Sequence, residues 1–137
     1  MNFLIDTSVI SETRKEKPMA GVVKWWQRHS LSAMRLSVVT LHELRYGVEI
    51  APLGAKRAGL ERWVEEFVLR AFTGRILPVN IEVVENCARL MGACKTKGYQ
   101  PEFAYALVAA TARTYGLRVA TLNRKDFARL GVELVEF

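Results

Sequence analysis

The residues best suited to chemistry in this sequence are three acids that follow short apolar runs. Asp6 comes directly after the run 3–5, Glu43 lies four residues beyond Val39, and Asp126 follows the run 118–122. Like charges held a few ångström apart raise each other's pKa and oppose folding. A hard divalent cation such as Mg²⁺ or Mn²⁺ removes that penalty, because it binds carboxylate and water oxygens. Metal-bound water can attack a phosphodiester, so the pattern is compatible with metal-dependent nuclease chemistry but does not by itself single it out.

The three acids can converge only if the elements that carry them form one sheet. Apolar runs predict strands at 3–5, 35–39, 76–79 and 118–122, with a fifth at 132–137. Helical periodicity predicts helices at 18–29, 41–50, 55–71, 81–97 and 102–115. Strands separated by helices pair in parallel, because parallel neighbours need a crossover connection. We therefore expect an α/β fold, with a small parallel sheet flanked by helices on both faces and functional groups at the carboxyl ends of its strands.

Each of these acids also has a structural interpretation that spacing alone leaves open. Asp6 precedes Thr7 and Ser8 and could cap the next helix. Glu43, which we expect in the first turn of its helix, could complement the helix dipole. Asp126 could be an N-cap or a turn residue.

Composition restricts the class of protein. The chain has 137 residues, 50% of them hydrophobic and 25% charged, and a net charge of +6, which predicts one folded domain over 1–137. No apolar run approaches the roughly 20 residues of a membrane span, so we expect a cytoplasmic protein with no membrane partner. Cys87 and Cys94 would be about 10 Å apart in one helix, too far for a disulfide. The basic charge favours a polyanionic partner.

The sequence resembles the PIN-domain family, in particular the toxin ribonucleases of the VapC and FitB type. Five segments carry the resemblance, occur in family order and span essentially the whole chain. They are Phe-Leu-Ile-Asp-Thr-Ser-Val at 3–9, Ser-Val-Val-Thr-Leu-His-Glu-Leu-Arg-Tyr-Gly at 37–47, Ile-Leu-Pro-Val at 76–79, Leu-Val-Ala-Ala-Thr-Ala at 107–112 and Thr-Leu-Asn-Arg-Lys-Asp-Phe at 121–127.

The resemblance implies a toxin that hydrolyses RNA with Mg²⁺ or Mn²⁺. By position, it makes Asp6, Glu43 and Asp126 the catalytic carboxylates that hold the metal. The polar residues around them would be Thr7, Ser8, Thr121 and Asn123. It further implies a homodimer, an RNA substrate, and an antitoxin that blocks the site and brings the toxin to operator DNA. We expect the antitoxin and dimer contacts on the helices before residue 72.

One position departs from the family pattern. The family has an Asp directly before the Ala-Leu-Val-Ala-Ala-Thr-Ala run, whereas this chain has Tyr105. A phenol, with a pKa near 10, is a poor substitute for a carboxylate metal ligand. The change could be natural, giving a weakened or non-catalytic homologue, or it could be an acquired inactivating change. A third explanation is that Glu102, one turn earlier, replaces the missing ligand.

The sequence therefore predicts the toxin of a type II toxin–antitoxin system, an endoribonuclease impaired by Tyr105. The alternative is a non-catalytic PIN-fold protein that binds antitoxin or nucleic acid without cleaving it. A nuclease that cuts DNA is a third alternative, which nothing in the sequence excludes.

Overall fold

Short strands alternate with helices in the computed structural model, which describes residues 2–137. The strands are β1 (Phe3–Ile5), β2 (Met34–Ser37), β3 (Ile76–Leu77) and β4 (Arg118–Ala120). The α-helices are α1 (Thr7–Ile10), α2 (Ala20–Arg28), α3 (Val38–Ile50), α4 (Ala55–Trp63), α5 (Leu69–Ala71), α6 (Ile81–Thr96), α7 (Phe103–Tyr115) and α8 (Arg124–Phe127). A π-helical segment, Val64–Val68, joins α4 to α5, and 3-10 turns follow α1 and precede β2.

The strands form a parallel sheet in the order β3-β2-β1-β4. Leu4 in β1 is in register with Arg35 in β2 and with Val119 in β4. Because β1 lies between β2 and β4, the residues that follow these three strands meet at one edge of the sheet. The predicted α/β class and parallel pairing are confirmed.

Helices cover both faces of the sheet and create two apolar layers. Successive side chains of a strand point to opposite faces, so Phe3 and Ile5 pack in one layer and Leu4 in the other. The first layer contains Trp25 from α2 and the fully buried Phe72. The second is built mostly from α6, α7 and α8. Because all three residues of β1 are buried in these layers, the position of the strand is fixed, and so is the position of Asp6 directly after it.

The second strand is shorter than predicted, which moves Glu43. The prediction of a strand over 35–39 is wrong at its end, because Val38 and Val39 begin α3. Ser37 ends the strand by capping this helix, since its hydroxyl accepts a hydrogen bond from the Val39 N–H at 3.0 Å. Glu43 therefore lies in the second turn of α3 and not in the first, so the dipole interpretation of this residue weakens.

The predicted fifth strand does not form. Only an isolated parallel bridge between Val119 and Leu134 is present in the region 132–137. It is made by two backbone bonds, from Val119 N–H to Glu133 and from Val135 N–H to the Val119 carbonyl. Beyond this bridge, the Arg124 guanidinium donates a hydrogen bond to the Val135 carbonyl, which the next backbone bond between the two segments would need, so the pairing does not continue.

The other boundaries differ from the predictions by a few residues. α2 begins at Ala20, so Pro18 precedes the helix instead of lying in its first turn. α7 begins at Phe103, with Glu102 in the N-cap position. In the part of the chain that the structure describes, no helix is long and apolar enough to cross a membrane.

Candidate active site

Asp6 is the buried centre of the predicted site. It directly follows β1, and its N–H donates to the Ala120 carbonyl at 2.9 Å, which joins it to the end of β4. Its side chain is only 3% exposed. Asp6 occupies the N-cap position of α1, but its carboxylate makes no capping hydrogen bond. The capping interpretation of this side chain is therefore wrong.

Two hydroxyl groups bind the Asp6 carboxylate instead. Thr121 Oγ1 donates to Asp6 Oδ2 at 2.7 Å, and Ser8 Oγ donates to the same oxygen at 2.9 Å. Each hydroxyl oxygen also accepts a hydrogen bond from the backbone. Ser8 Oγ accepts from the Leu122 N–H and Thr121 Oγ1 accepts from the Asn123 N–H, both at 2.9 Å. Since these backbone donors occupy lone pairs of the two hydroxyls, their hydrogens are directed at the carboxylate. The loop after β4 thus orients both hydroxyl groups toward the Asp6 carboxylate.

Glu43 faces the same edge from α3. The hydroxyl of Thr7, two residues beyond the end of β1, donates to Glu43 Oε1 at 3.1 Å. The pKa of Glu43 is raised, chiefly because the carboxyl is partly withdrawn from water and further by the negative charges of Asp6 and Glu102. The hydrogen bond from Thr7 and the nearby His42 oppose this rise. Partial burial therefore contributes most to the rise in pKa, and the acids at the starts of α1 and α7 add to it.

Tyr105 lies among the acids, in the first turn of α7. Its phenol oxygen accepts a hydrogen bond from the Asn123 side-chain amide at 3.3 Å, and its ring meets the buried Phe127 ring edge-on at 5.2 Å. Partial burial raises the pKa of this phenol above its ordinary value of 10.0. Four carboxylates raise it further: Asp126, Asp6, Glu102 and Glu43. The phenol is therefore neutral at physiological pH, and it lies near four carboxylates.

Asp126 and Glu102 complete the set of acids. Asp126 lies inside the short helix α8, so it is neither its N-cap nor a turn residue. Asn123 is the N-cap residue of α8, but its side chain makes no capping hydrogen bond and instead donates to the Tyr105 phenol oxygen. Glu102 is exposed at the N-cap of α7 and makes no capping bond either.

Of the residues that the sequence assigns to the site, all but Asp126 and Glu102 form three hydrogen-bonded groups at one edge of the sheet. Asp6 is bound by Ser8 and Thr121, Glu43 is bound by Thr7, and Tyr105 is bound by Asn123. Within residues 2–137, however, no three His, Cys, Asp or Glu side chains come close enough together to hold a metal ion. Four carboxylates lie near enough to Tyr105 to raise its pKa, but they do not form a cluster of ligands in the described part of the chain.

Sequence reasoning missed the support that Phe127 gives to Tyr105. Phe127 is fully buried in the second apolar layer, and its ring packs edge-on against the Tyr105 ring. A helix of four residues has too few positions for a periodicity, so the sequence pattern carried no signal for this contact.

A groove of about 650 Å³ lies apart from the acids, between α2 and the segment that joins α4 to α5. Its walls are mainly apolar and aromatic. The walls comprise Val22, Val23, Trp26, Trp63 and Phe67. Glu12 and Arg14 lie at its margin, and the Arg14 guanidinium lies over the Trp63 ring at 5.6 Å.

This fold and the acidic edge after β1, β2 and β4 define the class of protein. The sequence profile described as the PIN domain matches residues 3–133. The chain belongs to the PIN-domain family.

Named relatives extend over nearly the whole chain. The chain is 37% identical over 124 residues to the toxin FitB of Neisseria gonorrhoeae, covering 90% of this chain and 89% of that protein. It is 34% identical over 132 residues to the VapC ribonuclease Y4jK of Sinorhizobium fredii, covering 96% and 94%. Among solved structures, FitAB bound to an IR36 DNA fragment has a TM-score of 0.91 at 34% identity, covering 97% of this chain and 93% of that chain.

Proposed function

We propose that this chain is the toxin of a type II toxin–antitoxin system, an endoribonuclease whose metal site Tyr105 interrupts. The observation that carries the proposal is the position of the Tyr105 phenol, which is hydrogen-bonded to Asn123 and lies near enough to four carboxylates for their charges to raise its pKa. A toxin FitB and a ribonuclease of the VapC type at 37% and 34% identity support the class of activity.

The side chains of this chain do not fit a preformed Mg²⁺ or Mn²⁺ site. Across the described residues, no group of three candidate ligands is assembled. A neutral phenol cannot supply the negative charge that a hard cation draws from a carboxylate. A Tyr105 ring at this position would also occupy space that a hydrated cation needs. We therefore assign Asp6, Glu43 and Asp126 to a carboxylate set that lacks one member.

A cleavage assay tests the proposed function. Structured RNA is incubated with Mn²⁺ and the wild-type chain, its Tyr105→Asp variant or its Tyr105→Asn variant. Asn has the size of Asp without the charge, so it separates the added carboxylate from the removed ring. We expect cleavage with Tyr105→Asp only. If neither the wild type nor Tyr105→Asp cleaves any RNA, the ribonuclease proposal is wrong.

Glu102 offers an internal alternative for the missing ligand. Its charge reaches both Tyr105 and Glu43, although its side chain is exposed. If Glu102 served as the ligand, the wild-type chain would cleave RNA and Glu102→Gln would abolish that activity. Equal cleavage by the wild type and Tyr105→Asp would point to this arrangement or to a site of three carboxylates.

We propose that the groove between α2 and Trp63 receives the antitoxin. The solved FitAB structure, in which the related chain is found with its partner and DNA, supports an antitoxin partner and contact with operator DNA through it. The groove is apolar, and Trp26 and Trp63 are the aromatic anchors on which protein interfaces depend. Trp63→Ala is expected to weaken antitoxin binding about 10-fold or more. Tyr115→Ala, an exposed aromatic at the far end of α7, is the control.

We further propose a homodimer, as in the resemblance. We assign the dimer contact to α6 and not to the helices before residue 72, where the sequence had led us to expect it. Ile81 and Val84 on α6 are 82% and 50% exposed, and exposed apolar side chains on one helix favour a partner surface. Sedimentation at micromolar concentration is expected to give twice the mass of the chain. A monomer at that concentration would contradict the dimer without affecting the assignment of the acids.

A non-catalytic function is the second candidate, and Tyr105 is also the observation that favours it. A chain whose carboxylates do not assemble can still bind antitoxin through the groove, which lies away from the acids. Binding of antitoxin by the wild-type chain, with no cleavage by the Tyr105→Asp variant, would support this candidate.

A further inference from the structure

Two exposed aromatic rings are stacked on the surface of α3, beside the acids. The His42 and Tyr46 rings lie 6.2 Å apart, with an angle of 18° between their planes. Tyr46 is 57% exposed, and His42 is also exposed. They are four residues apart, which is one helical turn, so the two rings share a face of α3. His42 lies close enough to Glu43 to act on its charge, so this face adjoins the candidate active site.

An apolar pocket continues this surface on the other side of His42. The pocket has a volume of about 340 Å³, and its lining joins the start of α3 to the start of α7. The lining residues are Val38, Val39, His42, Phe103, Ala104 and Leu107. Phe103 is 63% exposed and lies between Glu102 and Tyr105 in the sequence. The aromatic surface thus runs from Tyr46 through His42 to Phe103, along the acids.

We propose that this aromatic surface, formed by Tyr46, His42 and Phe103, binds unpaired bases of single-stranded RNA next to the phosphate that faces the acids. The inference rests on the proposed function, which places an RNA phosphate at the acidic edge. Flat aromatic rings bind bases of any sequence by stacking, whereas the bases of a duplex are already stacked and cannot reach the rings.

The carboxylates nearest to the aromatic surface oppose the binding of a nucleic acid by charge alone. Carboxylates at Glu43 and Glu102 repel a polyanion, so a nucleic acid needs a compensating attraction close to them. Stacking supplies one that is independent of charge. Lys125, exposed beside Asp126, supplies another, since none of the described carboxylates lies within salt-bridge distance of it.

The test compares binding of two RNA strands to the intact wild-type chain without added metal. One strand carries 2-aminopurine, a fluorescent base that loses fluorescence when it stacks, and the other has the same backbone with abasic sites at the central positions. We expect the wild type to quench 2-aminopurine and to bind the strand with bases about 10-fold more tightly than the abasic strand. The variant with both His42→Ala and Tyr46→Ala should lose the quenching and the preference, yet bind the abasic strand as the wild type does.

Two variants separate stacking from other effects. Tyr46→Phe keeps the ring without the hydroxyl and should retain both quenching and preference. Ile50→Ala, 64% exposed one turn beyond Tyr46 on the same helix, removes an aliphatic side chain and should have no effect. Equal affinity of the wild type for the two strands, or a preference that survives in the double variant, would overturn the inference.

A second copy of this chain on the aromatic surface would also overturn it. In that case the double variant would lower the sedimentation mass, and the wild type would show no quenching. Failure of the proposed function gives a different result, because base-dependent binding would persist while Tyr105→Asp leaves RNA intact. Cleavage by Tyr105→Asp with no preference for bases would refute only the stacking inference.

Discussion

The phenol oxygen of Tyr105 lies 3.3 Å from the side-chain nitrogen of Asn123, which donates a hydrogen bond to it. This contact joins the first turn of α7 to the loop that follows β4, the same loop whose backbone orients Ser8 and Thr121 toward Asp6. The tyrosine is therefore integrated into the hydrogen bonding of the acidic edge. An aspartate here would be shorter by the length of a ring and would leave room among the acids.

The hydroxyl of Thr121 should stabilise the fold by binding the buried Asp6 carboxylate. Thr121→Val leaves that carboxylate one donor short and deprives the Asn123 N–H of its acceptor. We expect the free energy of unfolding in urea to fall by about 1–3 kcal/mol.

Thr111→Val is the matched control for this change. Thr111 is equally buried, but its hydroxyl donates to the Leu107 carbonyl within α7, which is also available to the helix backbone. A loss of stability in Thr111→Val as large as that in Thr121→Val would contradict a special role for the contact with Asp6.

Glu12 should stabilise the protein in a pH-dependent way. It is 3% exposed, forms a salt bridge with Lys15, and accepts from the Met19 N–H at 3.0 Å. The hydrogen bond from Lys15, then that from Met19, lower its pKa below the ordinary 4.5 despite burial. A lowered pKa stabilises the fold above the unfolded-state pKa, and this contribution is lost as the pH falls through the folded-state value.

Glu12→Gln should therefore lower the free energy of unfolding by about 1–3 kcal/mol at pH 7. The difference from wild type should narrow as the pH falls below the ordinary value of 4.5. Urea denaturation at pH 7 and pH 3 measures both. Glu16→Gln, at an exposed neighbour, should change neither, and a loss for Glu12→Gln that is the same at both pH values would refute the role of charge.

Lys125 should contribute to RNA binding through a phosphate. Lys125→Ala removes an exposed cation next to Asp126, so the slope of log affinity against log salt should shrink by about 0.7–1 for a single-stranded RNA. Lys56→Ala, beyond the far end of α3, is the control. An unchanged slope for Lys125→Ala would place the RNA backbone elsewhere.

Much of this architecture could be predicted from the sequence, because apolar runs and their spacing determine a buried parallel sheet. The run 3–5 followed by Asp6 was sufficient to predict β1 and the acid at its end. The sequence could not show where β2 ends, since Val38 and Val39 favour a strand until the Ser37 cap is considered. It also could not exclude a strand at 132–137, where Arg124 takes the carbonyl that a ladder would use.

The sequence predicted which residues belong to the site better than it predicted which of them are joined by hydrogen bonds. The residue types at 6, 8 and 121 indicated a polar edge, but the pairing of both hydroxyls with one carboxylate oxygen depends on contacts between residues far apart in the chain. Thr121 is 115 residues from Asp6, and the Leu122 N–H that orients Ser8 is 114 residues from it. The apolar groove combines α2 with a segment some 40 residues later, and only tertiary packing brings them together.

Titration with Mn²⁺ tests most directly whether Tyr105 interrupts the metal site. The binding of the ion is measured for the wild-type chain, Tyr105→Asp and Tyr105→Asn by calorimetry, without RNA. The account predicts that Tyr105→Asp binds Mn²⁺ about 10-fold or more tightly than the wild type, that Tyr105→Asn does not, and that adding Asp6→Asn to Tyr105→Asp abolishes the gain. Wild-type binding as tight as that of Tyr105→Asp would contradict it.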